Sequence, residues 1–175
     1  VRARDHREST VLGVHVVERG QIASGTTSAC EGNLLVSDKE AGPELDLSLY
    51  SRDVFRHDLA EYAPLWEFEA KGGLVVAATE PGADALAGLT TRQRASGIEV
   101  TNLEAGQLRD YEPHISLDLR AGAFYPQDAQ VQPMLMTAHL LRLARDLRAV
   151  VQTGTEVIGF LRDGDRVTGV QTLVG

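Results

Sequence analysis

The stretch that most constrains this chain is Val11-Leu12-Gly13-Val14-His15-Val16-Val17-Glu18. Its β-branched, apolar run reads as a strand buried within a parallel sheet. It stops at a charged turn, Glu18-Arg19-Gly20. Three residues further on, the ten residues Ser24-Gly25-Thr26-Thr27-Ser28-Ala29-Cys30-Glu31-Gly32-Asn33 are small and polar and carry no periodicity. A loop so poor in side-chain bulk lets backbone closely approach another molecule.

Beyond that loop the pattern changes. From Gly42-Pro43 to about Tyr62 the spacing predicts a helix with an imperfect apolar stripe, ended by Pro64. Phe68 to Ala78 reads as strand, turn and strand about the pair Gly72-Gly73. A helix over Gly82–Ser96, a strand at Ile98–Val100 and a short helix at Leu103–Leu108 closed by Glu112-Pro113 follow. Ala121–Tyr125 reads as a strand and Gln127–Gln132 as a loop. Pro133 suits the first turn of a helix reaching Leu147. Three strands end the chain, at 150–152, 155–161 and 166–172, the last two joined by a tight turn at Asp163-Gly164-Asp165. A simple doubly wound domain would keep alternating strand and helix. The order here predicts an α/β fold in which a parallel-sheet domain, residues 11–42 and 129–175, is interrupted by a mixed α+β insertion, residues 43–128.

Charge and composition remove several function classes. The formal net charge is −8 over 175 residues, which argues against a nucleic-acid partner. No stretch approaches the roughly 18 apolar residues a membrane helix needs. The lone cysteine, Cys30, cannot close an internal disulfide and offers no zinc set, which favours a reducing, cytoplasmic setting. Free cysteine is commonly a small buried hydrophobe, and nothing around Cys30 marks it as a nucleophile. His6, His15, His57, His114 and His139 show no metal-ligand spacing. Trp66, Tyr111 and Tyr125 read as packing residues.

Three stretches carry a family resemblance. They are Gly13–Gly20 with its terminal acid, the loop Ala23–Ala29, and the run from Asp128 through Gln132-Pro133, Gly154-Thr155-Glu156-Val157, Gly164 and Gly169-Val170 to Gly175. In order and spacing the chain resembles the D-amino-acid oxidase-like flavoproteins, which include glycine oxidase, sarcosine oxidase and D-amino-acid dehydrogenases. That resemblance implies a partial Rossmann-like FAD-binding domain, a substrate-domain segment at 43–128, FAD as cofactor and a small amine or amino acid as substrate of the intact parent. It implies cofactor contacts at Glu18, Arg19, Gly25, Thr26, Thr27, Asn33 and Val157. An acid ending the second strand accepts hydrogen bonds from a ribose diol. Backbone N–H groups and hydroxyls at Gly25, Thr26 and Thr27 would meet phosphate or ribitol oxygens. Asn33, and Gly32 beside it, would lie nearer the flavin, and the main chain of Val157 would meet the adenine edge. The alternatives are a solvated strand-end carboxylate at Glu18, an ordinary polar turn at the loop and a core valine at 157.

The departures from that pattern matter equally. The family opens with a strand and a G-x-G-x-x-G turn whose helix end holds the pyrophosphate, about 30 residues in all. Val1–Thr10 is instead highly charged and free of glycine, and Gly175 falls where the family continues to a strand and an Ala-Gly motif. The expectation is a chain truncated at both ends, binding FAD weakly or not at all, either as an inactive remnant or as a piece completed by a C-terminal partner chain or a homo-oligomer. No catalytic residue is assigned.

Overall fold

A computed structural model of the chain describes residues 13–173. Val11 and Leu12 at the start of the expected first strand, and the Gly175 end of the resemblance, lie outside the described residues. The architecture is α/β, and the chain separates into two compact units, Val1–Ala29 with Met136–Gly175, and Cys30–Leu135.

In the first unit, β1 (His15–Val17) pairs in parallel with β7 (Val150–Gln152), His15 opposite Val150 and Val17 opposite Gln152. The expected final hairpin is present: β8 (Val157–Asp163) and β9 (Arg166–Thr172) pair antiparallel. Gly164 in the turn has φ +57°, a left-handed conformation that glycine adopts at no steric cost. A single-turn helix, α1 (Thr26–Ala29), lies within the expected loop. Helix α5 (Pro133–Asp146) begins at Pro133 as the sequence predicts.

The second unit holds the hydrophobic core. A three-stranded antiparallel sheet has the order β3 (Gly73–Ala77), β5 (Ala121–Tyr125), β4 (Thr101–Glu104). Strand alternation puts Val75, Ala77, Ala123 and Tyr125 on one face, where they meet Leu86 of α3 (Glu80–Ala95), Leu45 of α2 (Pro43–Asp53), Val36 and Ile98. Helix α3 starts where Thr79 Oγ1 accepts from Gly82 N–H at 3.2 Å, an N-cap that satisfies one orphan donor. On the opposite face Leu108 of α4 (Leu108–Tyr111) closes over Gly122 and is buried. A second pairing joins β2 (Asn33–Leu34) to β6 (Ala129–Gln130), and Gln130 also bridges Glu69.

Four local expectations are corrected. Pro64 does not end the helical region: α2 passes through a π turn at Val54–Asp58 into a 3₁₀ run at Ala60–Trp66 with Pro64 inside it. The run has already left α geometry at Leu59 (φ −111°, ψ 12°). The fully buried Trp66, packed edge-on to Phe55, fixes its far end. Phe68–Ala78 is not a hairpin, because Glu69 pairs with Gln130 and only Gly73–Ala77 enters the sheet. Ile98 enters the core from outside any strand, and the strand comes later, at Thr101–Glu104. Leu103 is therefore a strand residue. The helical turn starts at Ala105, behind a capping box in which Glu104 N–H donates to Gln107 Oε1 at 2.9 Å.

Candidate functional site

Glu18 leaves the carboxyl end of β1. Its N–H donates to Gln152 O and its carbonyl accepts from Thr155 N–H, both at 2.9 Å, while Gly154 N–H donates to Gly20 O at 3.2 Å. The turn after β1 is thereby stitched to the segment leading from β7 to β8. Ligands of open α/β sheets sit outside the carboxyl ends of parallel strands, and Glu18 occupies such an end. Its side chain bends back so that Oε1 accepts from Gly20 N–H at 2.7 Å. This charge-assisted bond fixes the rotamer. The second carboxylate oxygen makes no hydrogen bond among the described residues.

The remaining sequence-predicted residues divide between the units. Arg19, Gly25 and Thr26 are exposed and Thr27 is half-buried, Thr26 and Thr27 opening α1. Ser28 Oγ donates back to Gly25 O at 3.0 Å, which tightens that turn. Val157 opens β8 opposite Thr172 and is 37% exposed. These five share the first unit with Glu18. Asn33 belongs to the second unit, where it lies opposite Gln130 in β2 and its Nδ2 donates to Glu31 Oε2 at 3.2 Å.

Within the second unit, two cavities border the segment from Asn33 to Ser37, of about 390 and about 310 Å³. Buried polar side chains fix that segment. Asp128 Oδ1 accepts from Val36 N–H at 2.8 Å and Ser37 N–H at 3.2 Å. Gln93 Nε2 donates to the carbonyls of Ser37 and Lys39, each at 2.9 Å, and Tyr125 OH donates to Gln93 Oε1 at 2.7 Å. Burial, and then the charge of Asp128, raise the Tyr125 phenol above its ordinary value. The hydrogen bonds that Lys39 Nζ donates to the carboxylates of Glu44 and then Asp38 raise the Lys39 ammonium above its ordinary value. Among the described residues no three His, Cys, Asp or Glu side chains stand close enough to hold a metal ion.

Comparison with known proteins decides the family. The model of the family described as DAO, FAD dependent oxidoreductase, matches residues 3–175. The chain belongs to the FAD dependent oxidoreductase family. Glycine oxidase of Geobacillus kaustophilus is 31% identical over 157 residues, which are 86% of this chain and 42% of that protein. Its crystal structure superposes with a TM-score of 0.81, covering 93% of this chain and 45% of that one at 27% identity. One component of the anaerobic glycerol-3-phosphate dehydrogenase of Escherichia coli K12 is 29% identical over 167 residues, 91% of this chain and 29% of that protein. The L-α-glycerophosphate oxidase of Mycoplasma pneumoniae, solved with FAD bound, shares the fold with a TM-score of 0.79 at 19% identity, over 91% of this chain and 43% of that one. The chain spans less than half the length of each of these relatives.

FAD is the cofactor of this family. The residues present fit a diol-bearing group such as a ribose at the carboxyl end of β1, where Glu18 keeps one carboxylate oxygen without a hydrogen bond among the described residues. The buried set of Asp128, Gln93 and Tyr125 went unnoticed in the sequence. Gln93 and Asp128 lie 56 and 91 residues from the Ser37 they hold, and no local pattern announces so distant a partner. Among the described residues no helix is long and apolar enough to cross a membrane.

Proposed function

We propose that this chain supplies part of the FAD-binding domain, residues 11–42 and 129–175, and part of the substrate domain, residues 43–128, of an oxidoreductase that oxidises the CH–NH bond of a small amine or amino acid. The observation that carries the reading is the Glu18 carboxylate at the end of β1, one oxygen bound to Gly20 N–H and the other unbound. The likeness to glycine oxidase supports an amino-acid substrate.

FAD, when bound, supplies a two-electron acceptor for the C–H bond beside the amine nitrogen. The chain's own residues bind and orient. Glu18 accepts from the ribose hydroxyls, and Arg19 flanks it. The N–H groups and hydroxyls of Gly25, Thr26 and Thr27 meet phosphate or ribitol oxygens. The Val157 main chain meets the adenine edge, and Asn33 lies toward the flavin end. Hydride transfer of this kind asks the protein for positioning more than for an acid–base pair, and no catalytic residue is assigned. A cytoplasmic setting belongs to this proposal and rests on the single cysteine.

A second reading, a remnant that does not hold FAD on its own, is favoured by one observation. In the unit that carries Glu18, no described hydrophobic residue is buried. Titration of the purified chain with FAD, followed by flavin fluorescence and circular dichroism, separates the two. Saturable binding that Glu18→Gln weakens about tenfold, roughly 1.4 kcal/mol, is the expected result for a working ribose site. A folded chain with no saturable response establishes the second reading.

A further inference from the structure

The cavity of about 390 Å³ in the second unit is bordered at one side by Asn33, and the flavin reading gives no role to its opposite wall, helix α2 with Lys39. It falls within the 300–1,000 Å³ range of small-molecule sites, near the lower end. Helix α2 forms one wall with an unusual face. Glu44, Leu47, Ser48, Ser51 and Arg52 follow the three- and four-residue spacing of one helical stripe, and all five border the cavity. Such a stripe ordinarily carries apolar residues toward a core. Here four of the five are polar, and the one buried residue of α2 is Leu45, off the stripe.

Arg52 is incompletely used. Its side chain is only 18% exposed, and its Nη2 donates to the neighbouring Asp53 at 3.0 Å. Its Nε is buried and makes no hydrogen bond among the described residues. A buried donor without an acceptor is destabilising, and more so on a charged group. An acceptor arriving from the cavity removes that cost, and the Nε edge of a guanidinium matches the paired oxygens of a carboxylate or phosphate. Lys39 adds a second cation at 20% exposure, tied to Glu44 at 2.9 Å and Asp38 at 3.0 Å.

The acids nearby do not reverse this bias. Glu44, Asp38 and Asp53 are 76%, 52% and 54% exposed, so water and salt screen them, whereas both cations are largely shielded. Glu44, the one carboxylate on the wall, is ion-paired with Lys39 through Oε1 at 2.9 Å, so its charge is already balanced by a neighbouring cation. Leu34, Leu35 and Leu47 supply apolar surface beside the charges.

We propose that this cavity binds a compact organic oxyanion, a carboxylate or phosphate on a short apolar chain, with the oxyanion on Arg52 and the Ser51 hydroxyl and the chain against Leu34 and Leu47. The inference needs no bound flavin. Amino-acid carboxylates fall within the class, and that is its one link to the proposed function.

The experiment is a titration of the isotope-labelled 175-residue chain, reading the Arg52 Nε–H resonance. The ligands are butyrate, butyl phosphate and butylammonium, with sodium chloride as the ionic-strength control. The expected result is a saturable shift with butyrate or butyl phosphate and none with butylammonium. Whichever anion saturates first tells carboxylate from phosphate. Arg52→Lys keeps the charge but loses the planar fork and weakens binding about tenfold or more. Ser51→Ala, a mild change at a half-buried helix position, weakens it less and guards against misfolding of the arginine variant. A shift no greater than that of sodium chloride, equal binding of butylammonium, or full affinity in both folded variants overturns the proposal.

Discussion

Asp128 is the residue on which the polar interior of the second unit turns. It is 1% exposed, its Oδ1 holds the backbone of Val36 and Ser37, and its Oδ2 lies where a side chain at Gly73 would have to go. Asp128→Ala leaves two buried N–H donors without acceptors, an expected loss of about 3 kcal/mol at roughly 1–3 kcal/mol each. A urea midpoint series measures it, and a loss below about 1 kcal/mol would mean that water replaces the carboxylate. Tyr125 responds to the same charge. Its phenol is raised by burial and by Asp128, so the folded state holds that proton more tightly than the unfolded chain does. The resulting stability is complete below the unfolded value of about 10 and is lost as pH rises through the higher folded one. Between about pH 9 and about pH 11 the urea midpoint of the native chain should therefore fall more steeply than that of Tyr125→Phe. Parallel slopes would show that the phenol does not report on folding.

At the level of elements, two glycines test how the sheet is joined. Gly72 (φ +81°) and Gly97 (φ +85°) both sit in the left-handed region, one before β3 and one after α3. A Cβ at Gly97 would meet nothing within 4 Å, whereas at Gly72 it would strike the ring of Phe124. Gly97→Ala should therefore cost only backbone strain, about 1–2 kcal/mol. Gly72→Ala adds an overpacking cost of about 1–3 kcal/mol. Equal shifts in melting temperature would mean that Phe124 yields freely. The same region shows what the sequence could and could not reveal. The helix α3, the strand Ala121–Tyr125 and the hairpin β8–β9 were legible because their signals are local: an unbroken helix-forming stretch from Gly82 to Ser96, a small apolar run, a Gly-containing turn. Ile98 misled because a buried apolar residue is the same letter in a strand or in a core-facing loop. The Gly72-Gly73 pair misled because Glu69 takes its partner 61 residues away, at Gln130. For the site, Glu18 was legible as an acid closing an apolar strand, but its bond to Gly20 was not, since that is a rotamer. Arg52 carries no signal of its own in the sequence, because a charged helix residue is the same letter with or without a cavity beside it.

Across the whole molecule, burial is divided unequally. All twelve buried hydrophobic residues among those described, Trp66 and Tyr125 included, lie between Cys30 and Leu135. In the other unit Phe160 is 63% exposed, Ile158 58% and Leu173 67%, and among its described residues Thr155 alone is buried. Two-stranded elements are marginal in water without packing, and parallel strands are normally covered on both faces. Among the described residues β1–β7 and β8–β9 are each two-stranded, so their hydrogen bonds survive with little hydrophobic support from those residues. Local opening should then cost far less in these strands than in α3 or β5. Amide exchange of the 175-residue chain tests this. Amides of β7, β8 and β9 should exchange at least about a hundredfold faster than those of α3 and β5, a gap of roughly 2.7 kcal/mol in opening free energy. Exchange must be read at monomer mass, because self-association would cover the same apolar residues and slow it. Equal protection in a monomer would mean that backbone pairing alone sustains the unit carrying Glu18. A ribose contact there would then be preformed, and the second, FAD-free reading would lose its main support.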